Sequence, residues 1–349
     1  MNSSFLTSLQ ILRAVAATSV VYRHTPGTNP VFGAFGVDIF FVISGYVMAM
    51  VATKGQDAGT FAVSRIARIA PLYWLITTFI LALKIFYPTL TESAPSVDQY
   101  LKSILFIPYF RETGALVPMV PHGWTLNYEM FFYLCVFITI IFSRRFYVVA
   151  PVLLISASYL VLGHLSESKL ASEFYGSTLL FEFVFGMLLF SLFQSKWTKF
   201  ILELPRYLLI SIAVMCYFFM ATTEALQIAG LVSLDVDGVL LWGLPSLLLV
   251  ASVLGLEGRL GADSNIILKS VLHLGDASYA TYLSHPFVIY VSTKFISTKL
   301  NQLALHGSAD VILTITTALL AGSVLYILID RPLSKLVKAK LTKYLLRPS

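Results

Sequence analysis

Apolar runs about one bilayer long recur through this chain, and they constrain its fold more than any other feature. They lie near residues 7–23, 35–53, 69–87, 124–143, 147–163, 174–193, 206–222, 238–255, 279–297 and 309–330, mostly with short connections. A helix needs about 20 mostly apolar residues to cross a membrane. Backbone N–H and C=O groups in lipid must be satisfied within the segment, so such runs read as helices. The pattern predicts an all-α polytopic membrane bundle of about ten transmembrane helices. It reads as a single domain over 1–349, without a repeat of about 20–50 residues.

Composition agrees. Charged residues make up 12% of the chain, against about 25% in soluble domains. The net charge of +6 does not point to nucleic acid, because the basic residues sit in short clusters between apolar runs. With a cytoplasmic N-terminus, the inner loops and tail hold Lys54, Arg65, Arg68, Arg144, Arg145, Lys196, Lys199, Arg206 and the lysines of 335–343. The outer loops hold only Arg23, Lys102, Arg111, Lys169 and Lys299. This bias predicts that both termini are cytoplasmic. Cys135 and Cys216 lie in apolar runs, so no disulfide framework is expected. No Cys/His spacing suits zinc and no glycine-rich phosphate loop occurs, so no metal is expected. The first 12 residues hold no Lys or Arg, which argues against a cleaved signal peptide.

The stretch LRAVAATSVVYRH (12–24) places Arg13 and His24 eleven positions apart. On a helix that is about three turns and about 16.5 Å, so the two share a face. Ionisable groups in a span usually face a bundle interior or a water-filled cavity. Ala14, Ala16, Ala17, Thr18 and Ser19 between them would admit a neighbouring helix or a thin ligand. Asp38 opens the second span a short connection later. It reads either as a cap or as a carboxylate beside His24, where it would fix the imidazole tautomer. The connection 88–123 contains VDQYLKSILFIPYF, which reads as an interfacial helix acting as a packing cover or as a lid.

LQILRAVAATSVVYRH and FGVDIFFVISGYVM, followed in order by RIARIAPLYW, WTLNYEMFFY and LGDASYATYLSHP, resemble the motifs of the acyltransferase-3 family of integral membrane acyltransferases. The resemblance covers about residues 9–332 and looks most like the exopolysaccharide acetyltransferases. A basic residue, ten residues and then His is the family signature, and Arg13 and His24 fit it. The resemblance implies that the Arg65–Arg68 pair serves the acyl donor. Guanidinium groups at i, i+3 suit the phosphates of coenzyme A, although positive-inside anchoring is the plainer alternative.

Other residues are candidates around that chemistry. Glu129 lies about a turn and a half inside its span; it could pair with a cation, assist His24 or bind a sugar hydroxyl. Trp124 and Tyr128 could stack on a sugar, or Trp124 could be a belt residue. Gly275 and Asp276 read as a turn and N-cap opening the ninth span. Ser278, Tyr282 and His285 follow along one face with Tyr279 beside them, and His285 is expected in the inner half, at the depth of Arg13. These residues, with Arg13, could line the donor path. Glu182 is expected in mid-span as a structural residue paired with Lys84, Lys294 or Arg13. The run DRPLSKLVKAK reads as a tail attracted to anionic lipid.

The expected function is a bacterial-type inner-membrane O-acyltransferase. It would move an acyl group, most simply acetyl from acetyl-CoA, to a hydroxyl of an exported polysaccharide or lipid-linked sugar. The pantetheine arm would thread past Arg13 towards His24, acting as general base or transient acyl carrier. The rival readings are a small-solute transporter, a succinyl donor and a non-sugar acceptor.

Overall fold

The computed structural model describes residues 6–87, 96–142, 144–232, 238–260, 265–297 and 308–346. Among these residues there is no strand. The helices are α1 (Thr7–His24), α2 (Gly36–Thr53), α3 (Ala58–Phe86), α4 (Val97–Ile104), α5 (Trp124–Phe142), α6 (Val149–Ser158), α7 (Lys169–Tyr175), α8 (Leu180–Phe193), α9 (Trp197–Glu203), α10 (Arg206–Ile228), α11 (Leu244–Gly255), α12 (Ile266–Ser292), α13 (Ser308–Leu325) and α14 (Arg331–Leu345). Wider π turns extend α6, α12 and α13 and precede α11.

Six described segments are long and apolar enough to cross a membrane: Gly36–Thr53, Ala58–Phe86, Pro121–Phe142, Lys169–Phe193, Arg206–Ile228 and Ala309–Leu345. Val149–His164 and Val239–Gly255 are apolar but shorter. The remaining two expected spans are helical as α1 and α12, but their many polar side chains keep them below that mark. The chain is a multi-pass membrane protein.

The chain forms two compact units: Met1–Val47 with Phe181–Ile327, and Met48–Leu180 with Leu328–Ser349. In the first, α1 and α12 lie side by side in parallel. Three contacts rise together along both helices: Gln10 with Gly275, Arg13 with Ser278 and His24 with His285. A Cβ at Gly275 would overlap the Gln10 carbonyl oxygen, so the lack of a side chain permits the approach. Leu6 offers α1 no side-chain cap. The Glu257 carboxylate instead accepts from Thr7 N (3.2 Å) and Ser8 N (2.8 Å), filling two of the helix's open donors. Val21, Ile289 and Ala318 join α1, α12 and α13 in one apolar cluster. Gly45 and Gly186 bring the backbones of α2 and α8 into contact, and a Cβ on either would overlap a carbonyl oxygen of the other helix.

In the second unit α14 runs back along the start of α3. Arg68 pairs with Asp330 (3.7 Å) and Gly59 lies against Leu346. The sequence from Arg331 onward is therefore packed helix at its start, beyond the lipid-attracted tail read from its lysines. Segment 96–123 is joined to α3 through Trp74 and through the Thr78–Tyr100 hydroxyl pair, and is otherwise tied to itself by hydrogen bonds. Trp74 Nε1 donates to Ile104 O (2.7 Å), and Ser103 Oγ both meets Tyr109 OH (2.9 Å) and accepts from Met119 N (2.9 Å). Arg111 donates to Pro118 O and Met119 O. Burial pushes the Tyr109 phenol above its ordinary pKa. Val97, Leu101 and Leu105 remain exposed, as on an interfacial helix.

Candidate active site

Two elements differ in extent from the sequence reading, and both shifts move candidate residues. Helix α12 begins at Ile266, with Asn265 as its cap, rather than near 279. Gly275 and Asp276 are thus interior to the helix and are neither turn nor N-cap. Helix α3 begins at Ala58, capped by Asp57, so Arg65 and Arg68 lie within it rather than before it. Hydrogen bonds from Thr60 hold the exposed Asp57 carboxyl below its ordinary pKa.

His285 moves furthest. It sits beside His24, with ring centroids 5.0 Å apart and planes at 53°, and not at the depth of Arg13. The reason is geometric: α1 and α12 run parallel, and Ser278 already occupies the level of Arg13, whose Nε donates to Ser278 Oγ at 3.3 Å. His285 is fully buried and His24 is exposed.

Both imidazoles are set by backbone carbonyls. Pro286 has no N–H to give to the carbonyl four residues back, which leaves Tyr282 O open. His285 Nδ1 takes that place at 2.6 Å. His24 Nδ1 meets Val20 O at 2.9 Å in the last turn of α1. A carbonyl can only accept, so each Nδ1 carries hydrogen and the basic lone pair of each neutral ring lies on Nε2. The tautomer that Asp38 was expected to fix for His24 is fixed by Val20. Asp38 is buried near the start of α2. Glu182 lies in the first turn of α8, near the middle of the apolar segment Lys169–Phe193, and is fully buried.

The small face of α1 is filled by protein. Ala16 and Ala17 are buried, and Gly36 approaches the Ala16 carbonyl so closely that a Cβ there would press on it. Glu224 on α10 is buried and was not anticipated. It accepts from Gly33 N, Ala34 N and Arg23 Nε, around the connection that follows His24. A search for the charge compensating each acid inside an apolar run would have raised it.

In the second unit, Tyr133 OH donates to Glu129 and the Arg65 guanidinium lies 6.0 Å from the centre of the Tyr133 ring. Glu129, Tyr133 and Arg65 form one chain from α5 to α3. Arg65 Nε also donates to Ser64 Oγ. Arg68 is engaged by Asp330, so the two arginines differ in surroundings. Tyr128 is buried and stacked on Phe174 (4.4 Å, 12°), which covers one ring face; half-buried Trp124 meets it edge-on (5.8 Å). In the first unit Tyr279 is buried, and Tyr282 meets Phe40 edge-on.

A parallel helix pair that presents two oriented imidazoles, one above a hydrogen-bonded arginine, is an arrangement suited to proton transfer at a reacting hydroxyl. The family model described as an acyltransferase domain matches residues 6–329, and the chain belongs to that acyltransferase-3 family of membrane acyltransferases. The match runs through both units.

Among individual relatives, the "Exopolysaccharide production protein ExoZ" of Rhizobium meliloti (strain 1021) is 30% identical over 319 residues, 90% of this chain and 93% of that protein. The "Putative peptidoglycan O-acetyltransferase YrhL" of Bacillus subtilis (strain 168) is 28% identical over 322 residues, 83% of this chain and 49% of that protein. "Protein 2 in picA locus" of Rhizobium radiobacter is 33% identical over 129 residues, 34% of this chain and 68% of that protein. No solved structure matches.

Proposed function

We propose that the protein transfers an acetyl group from cytoplasmic acetyl-CoA to a hydroxyl of an exported polysaccharide in the bacterial inner membrane. The observation that carries this reading is the pairing of His24 with His285, each with Nδ1 held by a carbonyl. The family supports acyl transfer over solute transport, and the exopolysaccharide relative supports the acceptor class.

In this reading the acceptor oxygen attacks the thioester carbonyl while His24 Nε2 takes its proton. The tetrahedral intermediate collapses, the C–S bond breaks, and the coenzyme A thiolate leaves and is protonated from the imidazolium. The products are the sugar ester and free thiol, and His285 is the second imidazole available for that proton. Arg65 and Arg68 are assigned the donor's phosphates, with Arg13, Ser278 and Tyr279 serving the rest of the donor. Glu129, Trp124 and Tyr128 are assigned to the acceptor, and Asp38 to support of the His24 element. The bundle is taken to have ten spans with both termini cytoplasmic, from the distribution of basic residues.

The test is acetyl transfer by purified protein in proteoliposomes. The substrates are acetyl-CoA and the host exopolysaccharide, stripped of its esters by mild alkali. Wild-type protein is expected to restore ester signals in the NMR spectrum, and His24→Ala is expected not to. Equal ester formation by both would remove His24 from the reaction. Transfer from succinyl-CoA alone would change the donor.

A further inference from the structure

His24 ends α1, and a helix end is a poor place to hold a reacting group. The last turn lacks its next hydrogen bonds and tends to fray. What holds it here comes from α10. Tyr217 and Glu224, seven residues apart, share a face of α10. Tyr217 OH meets Ser19 Oγ at 3.0 Å, one turn before Arg23. Glu224 Oε1 accepts from Arg23 Nε at 3.1 Å, next to His24. The same carboxylate accepts from Gly33 N at 2.7 Å and from Ala34 N at 3.0 and 3.2 Å, at the far end of the connection to α2. That connection lies flat on α1: Gly33 has φ +120° and a Cβ there would overlap Ser19 O, so glycine is required. Tyr22 OH closes the connection on Pro30 O at 3.0 Å.

A carboxylate buried in an apolar helix is costly unless its charge and lone pairs are matched. Here one cation and two backbone N–H groups match it, all on either side of His24. The ion pair also has an electrostatic consequence. A bare cation next to an imidazole opposes its protonation, and general-base catalysis needs the imidazole to become positive in the transition state.

We propose that Glu224 is a positioning residue for acyl transfer: its carboxylate clamps the connection after His24 and neutralises Arg23, so that the imidazole is held in place and can accept the acceptor's proton. This rests on the assignment of His24 as the base, and the test separates the two.

The experiment measures kcat and donor KM in the proteoliposome assay for Glu224→Gln, Glu224→Asp, Arg23→Gln, the Arg23→Gln/Glu224→Gln pair and His24→Ala. Melting and acetyl-CoA binding are followed in parallel. Glu224→Gln is expected to lower kcat by about 10- to 100-fold while donor KM stays within about twofold, as misplacement of a reacting group does. Glu224→Asp keeps the charge and is expected to regain at least half of that loss on a logarithmic scale. Arg23→Gln is expected to cost activity alone but little more in the Glu224→Gln background, because both act through one pair.

Wild-type kcat in Glu224→Gln beside an inactive His24→Ala would overturn the clamp and leave His24 in place. An active His24→Ala would overturn both. Parallel losses of melting temperature, acetyl-CoA binding and kcat, with Asp no better than Gln, would make Glu224 merely structural and overturn the proposal. If Glu224→Gln does not fold, Arg23→Gln alone decides: lowered kcat at constant KM supports the clamp, and wild-type kcat refutes it.

Discussion

Helices α10 and α12 are both long, yet they use their side chains in opposite ways. α10 is apolar, and most of its length is exposed. Tyr207, Val214, Met215, Phe218 and Phe219 are exposed, as on a lipid-facing surface. α12 is too polar to meet the spanning criterion, but every residue from Ala277 to His285 is buried. The physical cause is the solvent. Lipid accepts apolar side chains at no cost, so an apolar helix can stay outside, whereas hydroxyls and imidazoles must find partners within the protein. Hydropathy thus finds the wall α10 and passes over α12, where Ser278 and His285 lie.

The strongest way to break this comparison is to spoil the packing of α12. Gly275→Leu would place a branched side chain on the Gln10 carbonyl of α1. Overpacking a tight contact typically costs about 1–3 kcal/mol or more. Here it meets backbone that cannot give way, so the variant is expected to lose monodisperse folded protein in detergent. Normal chromatographic behaviour and activity would show that the α1–α12 contact is looser than its geometry. A gentler probe removes one ring. His285→Asn is expected to fold and to lower kcat by about 10²-fold, within the range of a lost acid–base group, and by less than His24→Ala. Equal losses for the two would mean that the imidazoles act as one unit.

Some of this was legible in the sequence and some was not, for identifiable reasons. The Arg13–His24 register follows from helical period alone, and α1 is one unbroken helix. Its alanines predicted close approach, and Ala16 is fully buried. The level of His285 was not legible, because residues 266–278 mix Lys269, His273 and Asp276 with apolar ones, so an apolar window starts α12 too late. The opening of α3 was lost in the same way, since Arg65 and Arg68 interrupt its apolar run. Glu224 lies in the last turns of α10, and its partners at 23, 33 and 34 are about 200 positions away in the chain. No local pattern encodes that pairing. The Tyr282 carbonyl was half legible: Pro286 announces an open acceptor, but not which donor fills it.

The arginine pair of the second unit sharpens the contrast between walls and chemistry on a smaller scale. Arg65 is bound only to a neighbouring hydroxyl and an aromatic face in the contacts described above, while Arg68 meets the buried Asp330. Arg68→Gln is expected to destabilise the protein by about 1–3 kcal/mol, the cost of weakening the match to a buried charge. Arg65→Gln is expected to leave melting unchanged. If both serve the donor, each should raise the KM for acetyl-CoA, with a change of roughly fivefold corresponding to about 1 kcal/mol of lost ionic contact. Unchanged KM in both would return the pair to the anchoring role.

The smallest effect is expected on the outer wall. Phe218 on α10 is 63% exposed, and its helix is apolar around it, so its removal should change nothing that a lipid chain cannot replace. Met215 and Phe219 flank it on the same exposed side. Phe218→Leu keeps an apolar surface and a good helix former, and is expected to shift stability by no more than about 0.5 kcal/mol, as for substitutions away from packed or polar features. Phe218→Asp makes the control. If that surface faces hydrocarbon, a carboxylate there costs about 2.5–3.5 kcal/mol on insertion-based scales, and membrane insertion or folded yield should fall. Tolerance of both substitutions would show that this face of α10 meets water, and the reading of α10 as a lipid-facing wall would fail.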